Sequence, residues 1–381
     1  MEASEQVKVL QDLIQIHSVN GNEVEVAKYL QQLLAVHGIT AEVDEFGDRR
    51  ANLTAQIGQG KTDRVLGLTG HMDTVAVTNP DRWQHDPFGG NIVGGDKIYG
   101  RGAADMKSGL AAQAIALIEL KEAGALPTGT VKFIATAGEE LGTPGAYRLE
   151  KQGAANDLDA LVVGEPTGGN VIFAHSGSMN YEVDSMGKSA HSSMPDRGIN
   201  AITGLLKYVE VESGLFADTP DDPYLGKVQH SVTVIDGGDQ VNTIPDHAKL
   251  QGNIRPTATF NNQAVADRLN AAIDKINHQT PYQLKLNIFQ DYHPISTDPD
   301  SKFVQSALAA AKRFFPHEVK TDIINGATDA SVFTIHRPDL PVIVLGSDSW
   351  DVAHQTDEFT TISGFLATVK TYQQIIKDFF A

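Results

Sequence analysis

Histidines and carboxylates follow apolar runs at several separate places in this sequence. RVLGLTG leads into His71-Met72-Asp73, VKFIATAG into Glu139-Glu140, and LDALVVG into Glu165-Pro166. PVIVLGS is followed, a short loop later, by His354, and Asp105 stands in GRGAADMKSG where a long helix is expected to begin. Singly, each has an ordinary explanation. A lone histidine after a strand is more often a capped or core residue than a ligand, and a Glu-Glu pair is usually a solvated turn. Asp105 suits a helix N-cap, and GRGAAD lacks the third glycine of a dinucleotide fingerprint. Together, five segments bring charge to strand ends and a helix start, where open α/β sheets place ligand sites. Grouped carboxylates repel one another unless cations neutralise them. The chain has no cysteine, so any such ion must be held by His, Asp and Glu. That donor set suits zinc and accepts cobalt or manganese. Two ions about 3.5–4 Å apart polarise a carbonyl and acidify a bridging water, which is the chemistry of amide hydrolysis.

The elements that would position these groups alternate. Val7, Leu10, Leu13 and Ile14 recur at helical spacing, as do Val26, Tyr29, Leu30, Leu33 and Leu34, with Gly38 as a stop. Buried-strand runs then appear at Val65–Thr69, Val131–Ala135, Leu158–Val163 and Pro341–Leu345, among helices at Met106–Ala123 and Ile362–Phe380. This predicts an α/β layer with a mixed or mostly parallel sheet. The middle differs. Strands are expected at Asn180–Ser185, His230–Ile235 and Ala248–Ile254, and helices at Ile199–Ser213 and Val265–Ile276. That is an inserted α+β domain, giving boundaries of 1–176, 177–290 and 291–381. A length of 381 residues fits more than one domain at roughly 150 residues each. A net charge of −18 argues against nucleic acid or an anionic membrane as partner. The N-terminus lacks an apolar signal core, and no run of about 18 apolar residues occurs, so the expected location is the cytoplasm.

Seven stretches carry a family likeness: GHMDTV, YGRGAADMKSG, ATAGEELGTPGA, VVGEPT, GKSAHSSMPDRGINAI, VNTIPDHAKLQGNIRP and AHQTDEF. In this order and spacing the chain resembles the metallopeptidase family of succinyl-diaminopimelate desuccinylase, acetylornithine deacetylase, aminoacylase and the glutamate carboxypeptidases. The resemblance implies a zinc-binding α/β catalytic domain interrupted by a smaller dimerisation lid. It implies two Zn²⁺ per chain, one held by His71, Asp105 and Glu165, the other by Asp105, Glu140 and His354. Asp73 would orient the His71 imidazole from behind, Glu139 would be the general base, and the peptide after Asp105 would be cis. His191, in the inserted domain, would reach the active site of a partner subunit and stabilise the oxyanion. Asn242 and Arg255 match positions that contact substrate, and Gly326 and Thr328 lie in a loop beside the substrate carboxylate. For Arg255 a salt bridge within the lid is the alternative.

Substrate is less legible. Better-known desuccinylases carry an arginine pair before their GS motif, whereas this chain has Ala174-His175-Ser176-Gly177-Ser178; their GTSDGRF-like loop here reads GATDASVF. AHSGSMNYEV and GKSAHSSMP nevertheless look most like a bacterial desuccinylase-type branch. The expected activity is removal of an acyl group from a small N-acyl amino acid, N-succinyl-diaminopimelate first. Acetylornithine deacetylase, a general N-acyl amino acid deacylase, and a dipeptidase or carboxypeptidase are the alternatives. A non-catalytic binding domain would have lost ligands or the base, and none is lost.

Overall fold

A computed structural model describes all 381 residues, Met1–Ala381. The chain folds into two compact units. The first comprises Met1–Ala174, Ser296–Ile323 and Thr328–Ala381, and the second His175–Ile295 with Ile324–Ala327.

A nine-stranded sheet forms the first unit. Its path runs Ala41–Phe46, Arg50–Gly58, Thr130–Thr136, Val65–His71, Ala160–Val163, Val342–Val344, Val171–His175, Ile295–Ser296, and Thr321–Ile324 also pairs with Val171–His175. The four strands from Thr130–Thr136 to Val342–Val344 are parallel, flanked by antiparallel neighbours. The parallel strands are nearly continuous apolar runs because helices cover both faces of such a layer. Leu66, Leu68, Phe133, Leu161, Val162 and Ile343 are fully buried. At ~1.5–3 kcal/mol for each such side chain, this packing holds the strand ends in place. Register pairs His71 with Thr136 and Thr69 with Val163, so His71, Glu139-Glu140 and Glu165 leave the sheet at one edge.

The helix Ser108–Glu122 is apolar around most of its circumference and is almost wholly buried. Gly109 is what lets it in: a Cβ there would lie 1.8 Å from the Gly164 carbonyl oxygen. The helix begins two residues later than its apolar pattern predicts. Ala103–Lys107 form an irregular wide turn in which Asp105 and Met106 have non-helical dihedrals, and the Asp105–Met106 peptide is cis. Asp105 is therefore no helix cap, and its carboxylate is left for other partners. A small ladder joins Phe359–Thr361 to Lys97–Tyr99.

In the second unit an antiparallel sheet runs Gln229–Gly237, His247–Arg255, Ser178–Met186, Gln283–Tyr292. Helices Ala201–Glu212 and Asn262–Gln279, each N-capped by an asparagine side chain, bury one face of it around Tyr181, Leu205, Tyr208, Leu250 and Leu269. Strand His247–Arg255 alternates buried and half-buried residues as a one-sided sheet requires. The last strand pairs through Tyr292 with Ser178, so this unit extends to Ile295 rather than ending at 290. It begins at His175 rather than 177. No helix in the chain is long and apolar enough to cross a membrane.

Candidate metal centre

Asp105 sits between two histidines. Its Oδ1 lies 3.0 Å from His71 Nε2 and its Oδ2 lies 3.2 Å from His354 Nε2. His71 Nε2 is also 3.6 Å from Glu165 Oε1, and His354 Nε2 is 2.8 Å from Glu140 Oε1. The five expected ligands thus gather around the Asp105 carboxylate, with donor atoms of His71, Asp105 and Glu140 all within 4.8 Å of one another. The sheet edge supplies His71, Glu140 and Glu165; the irregular turn supplies Asp105; the loop before Phe359 supplies His354.

The donor set fits a divalent cation. Two donors about 2.1 Å from one tetrahedral zinc lie about 3.4 Å apart, comparable with the separations here. Glu165 Oε2 is buried and has no hydrogen-bond partner, an orphaned acceptor that a cation would satisfy. Burial, and then Asp105, push the Glu165 carboxyl well above the usual carboxylate range. Burial alone would depress the His71 imidazole, but Glu165, Asp105 and Asp73 outweigh it and raise it. For Asp105 burial acts upward, yet hydrogen bonds from His354 and His71 hold it below its ordinary value. Hydrogen bonds to Asp105 and Glu140 lift His354 to about 10. Without cations, then, protons neutralise this cluster.

The main chain and the side chain of Asp73 meet different groups. The His71 Nδ1 hydrogen-bonds the Asp73 backbone carbonyl at 2.9 Å, which leaves Nε2 facing Asp105 and Glu165. The Asp73 carboxylate is 3.6 Å from that ring nitrogen and serves another segment. Its Oδ1 accepts the N–H groups of Gly138 (2.8 Å) and Glu139 (3.1 Å), and its Oδ2 accepts that of Glu140 (3.2 Å). One residue thereby orients the imidazole through its main chain and the Glu139-Glu140 turn through its side chain. Gly138 opens that turn at φ +76°, and a Cβ there would fall 2.1 Å from Arg50 Nη1. Glu139–Leu141 form a 3₁₀ turn. Glu140 faces His354. The Glu139 carboxyl is raised well above its ordinary range, first by burial, with Asp329, Glu140 and Asp105 adding and His71 opposing.

Sequence reasoning missed Asp329. It is buried; Thr136 Oγ1 donates to its Oδ2 at 2.5 Å while its Oδ1 has no hydrogen bond. Burial lifts it to about 6 against the pull of Thr136 and His71. The aspartate that ends INGATD was the available signal. Thr328, expected at the substrate, is instead fully buried, and its Oγ1 accepts the Ala330 N–H at 3.2 Å, so it shapes the turn carrying Asp329. Lys107 was also missed. Buried and lowered to about 7 by its burial, it donates to the Leu13 and Ile16 carbonyls at 2.8 and 2.7 Å, tying the first helix to the Asp105 turn.

His191, Asn242, Arg255 and Gly326 belong to the second unit. His191 is exposed in a two-residue ladder, opposite Thr243. Its Nδ1 lies 2.8 Å from Ser193 Oγ and 3.2 Å from the Ser193 backbone nitrogen. Exposed Asn242 is adjacent, its carbonyl accepting the Ser192 N–H at 2.9 Å. Half-buried Arg255 ends its strand, its pKa lowered by desolvation, and no ion pair engages it within the lid. Gly326 is half-buried in a bend.

Residues 67–378 match the profile of peptidase family M20/M25/M40. A "Probable succinyl-diaminopimelate desuccinylase" of Staphylococcus aureus strain Mu50 is 34% identical over 398 residues, 97% of this chain and 98% of that one. Among solved structures, aminopeptidase PepT from Bacillus cereus superposes with a TM-score of 0.79 at 22% identity, covering 99% of both chains. An M20 family metallo-carboxypeptidase from Sulfolobus solfataricus gives 0.78 at 18% identity and the same coverage. At these identities the two structures speak for the fold.

Proposed function

Since the chain belongs to peptidase family M20/M25/M40, we propose that it is a two-zinc amide hydrolase releasing an acyl group from a small N-acyl amino acid. The observation that carries this is the placement of the two Asp105 oxygens, one on His71 and one on His354. His71, Asp105 and Glu165 would hold one zinc, and Asp105, Glu140 and His354 the other, with cobalt or manganese able to substitute. The ions would polarise the scissile carbonyl and acidify the attacking water. Glu139 would take the proton of that water and return it to the leaving amine. Arg255 would grip a substrate carboxylate, and Asn242 and Gly326 would line the substrate.

His191 would act in trans within a homodimer. One feature supports this. The edge strand Gln229–Gly237 exposes Val234 and Ile235 along an unpaired side, the kind of edge that invites strand pairing with a second copy.

N-succinyl-diaminopimelate is the first substrate proposed, on the likeness to the 34% identical Staphylococcus aureus relative. One observation favours a second reading, acetylornithine or another N-acyl amino acid. His175, where better-known desuccinylases carry the arginine pair, is buried and pushed down to about 4, chiefly by desolvation. It is neutral at physiological pH and offers no cationic grip for a succinyl carboxylate. A hydrolysis panel with zinc or cobalt decides: succinyl-diaminopimelate, acetylornithine, other N-acyl amino acids and dipeptides. Fastest turnover of succinyl-diaminopimelate supports the first reading, and no amide hydrolysis anywhere in the panel overturns the proposal. A cytoplasmic location is proposed with the biosynthetic role.

A further inference from the structure

We infer that the buried Arg101–Glu358 ion pair is a positioning device that sets the affinity of the His354 metal position relative to the His71 position. The inference rests on the two-ion reading above. Both side chains are about 1% exposed. Arg101 Nη1 donates to Glu358 Oε2 at 2.5 Å. The other carboxylate oxygen, Oε1, accepts the backbone N–H groups of Ala104 at 2.9 Å and Asp105 at 3.0 Å. The second guanidinium nitrogen, Nη2, donates to the His354 carbonyl at 3.3 Å. The acidic end of the pair therefore fixes the peptide bearing the shared carboxylate. The basic end fixes the peptide bearing the last ligand.

Local structure explains how residues so far apart in sequence meet. Pairing of Phe359 with Tyr99 sets the next residues side by side, and the Gly100 N–H donates to the Glu358 carbonyl at 2.9 Å. The Trp83 ring, 5.2 Å from the guanidinium carbon, adds a cation–π contact to Arg101.

The effect should be unequal between the two positions. His71 ends a fully buried central strand and Glu165 follows another, so the sheet holds both. His354 lies in a loop, its side chain 50% exposed and its backbone at φ +62°. The Arg101 guanidinium anchors that peptide. Asp105 would loosen too when the pair is broken, but His71 still meets it from the sheet side.

Zinc titration of the chelator-stripped full chain, by calorimetry and by bound-metal analysis, tests this. Wild type should take two ions. Glu358→Gln, which is isosteric but loses the charge facing Arg101, should keep one ion at wild-type affinity and weaken the other ~10–100-fold, the usual consequence of losing a ligand's supporting partner. Arg101→Lys keeps the charge, yet an ammonium cannot span both Glu358 and the His354 carbonyl, so the same asymmetry is expected. It also carries the test if Glu358→Gln fails to fold. A merely structural pair would lower the melting temperature and leave the ratio of the two affinities unchanged, which overturns the inference. Equal weakening of both ions overturns it too. A wild-type chain binding fewer than two ions would instead defeat the two-ion reading itself.

Discussion

The Asp73 carboxylate accepts the backbone N–H of Glu139 at 3.1 Å, and so controls where the proposed base stands. The same carboxylate takes the N–H groups on either side. Asp73→Asn would present an amide N–H₂ toward one of three backbone donors and leave it unsatisfied while buried. Turnover should fall ~10–100-fold, in line with other residues that orient a metal site's groups, while zinc at the His71 position is kept through the unchanged main-chain bond. Loss of that zinc in the variant would contradict the division of labour.

Glu139→Gln should separate chemistry from metal binding. The side chain faces the cluster without being one of the five ligands, so metal content should match wild type. The rate should drop ~10²–10⁴-fold, as for a lost general base. Parallel loss of metal and activity would make Glu139 a ligand.

Ligand removal should reduce stoichiometry. Chelation should abolish turnover and zinc or cobalt should restore it. His354→Ala and His71→Ala should each leave the purified chain nearer one ion than two, because the proposed scheme gives each zinc one histidine. Full occupancy in both variants would refute the assignment.

Metal loading should release protons. In the metal-free chain His354 is raised to about 10 and Glu165 is raised well above its usual range, so both carry protons near neutrality that an incoming ion must displace. Affinity should therefore climb with pH until His354 loses its proton near 10. Calorimetry in two buffers of different ionisation enthalpy measures the release; net proton uptake would show that the cluster binds no ion through these groups.

The trans role of His191 has its own test. Glu139→Ala and His191→Ala chains, separately tagged, should each form inactive homodimers. In the mixed dimer one site regains both residues. Random pairing makes half the dimers mixed, so about a quarter of wild-type activity should return if the sites are independent. No recovery with verified heterodimers would place His191 in its own chain's site.

What the sequence determined by itself was chemistry and period. Apolar runs of strand length located the parallel strands, and polar groups near their ends and at the expected helix start gave His71, Asp105, Glu139, Glu140, Glu165 and His354 as candidates. Those signals are local: a buried strand must be apolar along its length, and a ligand must be His, Asp or Glu when cysteine is absent. The tertiary structure alone decided which acceptor each donor meets. Nothing near Asp73 in the chain shows that its carboxylate serves residues 138–140, because that depends on two parallel strands ending at one level. The Arg101–Glu358 pair likewise joins residues 257 apart through a three-residue ladder too short to show a periodic pattern. Asp329 and Lys107 are polar residues inside apolar or helical stretches, and their burial comes from packing around them rather than from neighbours in the chain. The start of the helix at Ser108, two residues later than predicted, has the same origin: periodicity sees the apolar side chains of 106–123, while the Asp105 turn is fixed by Glu358 and by the ligands around it.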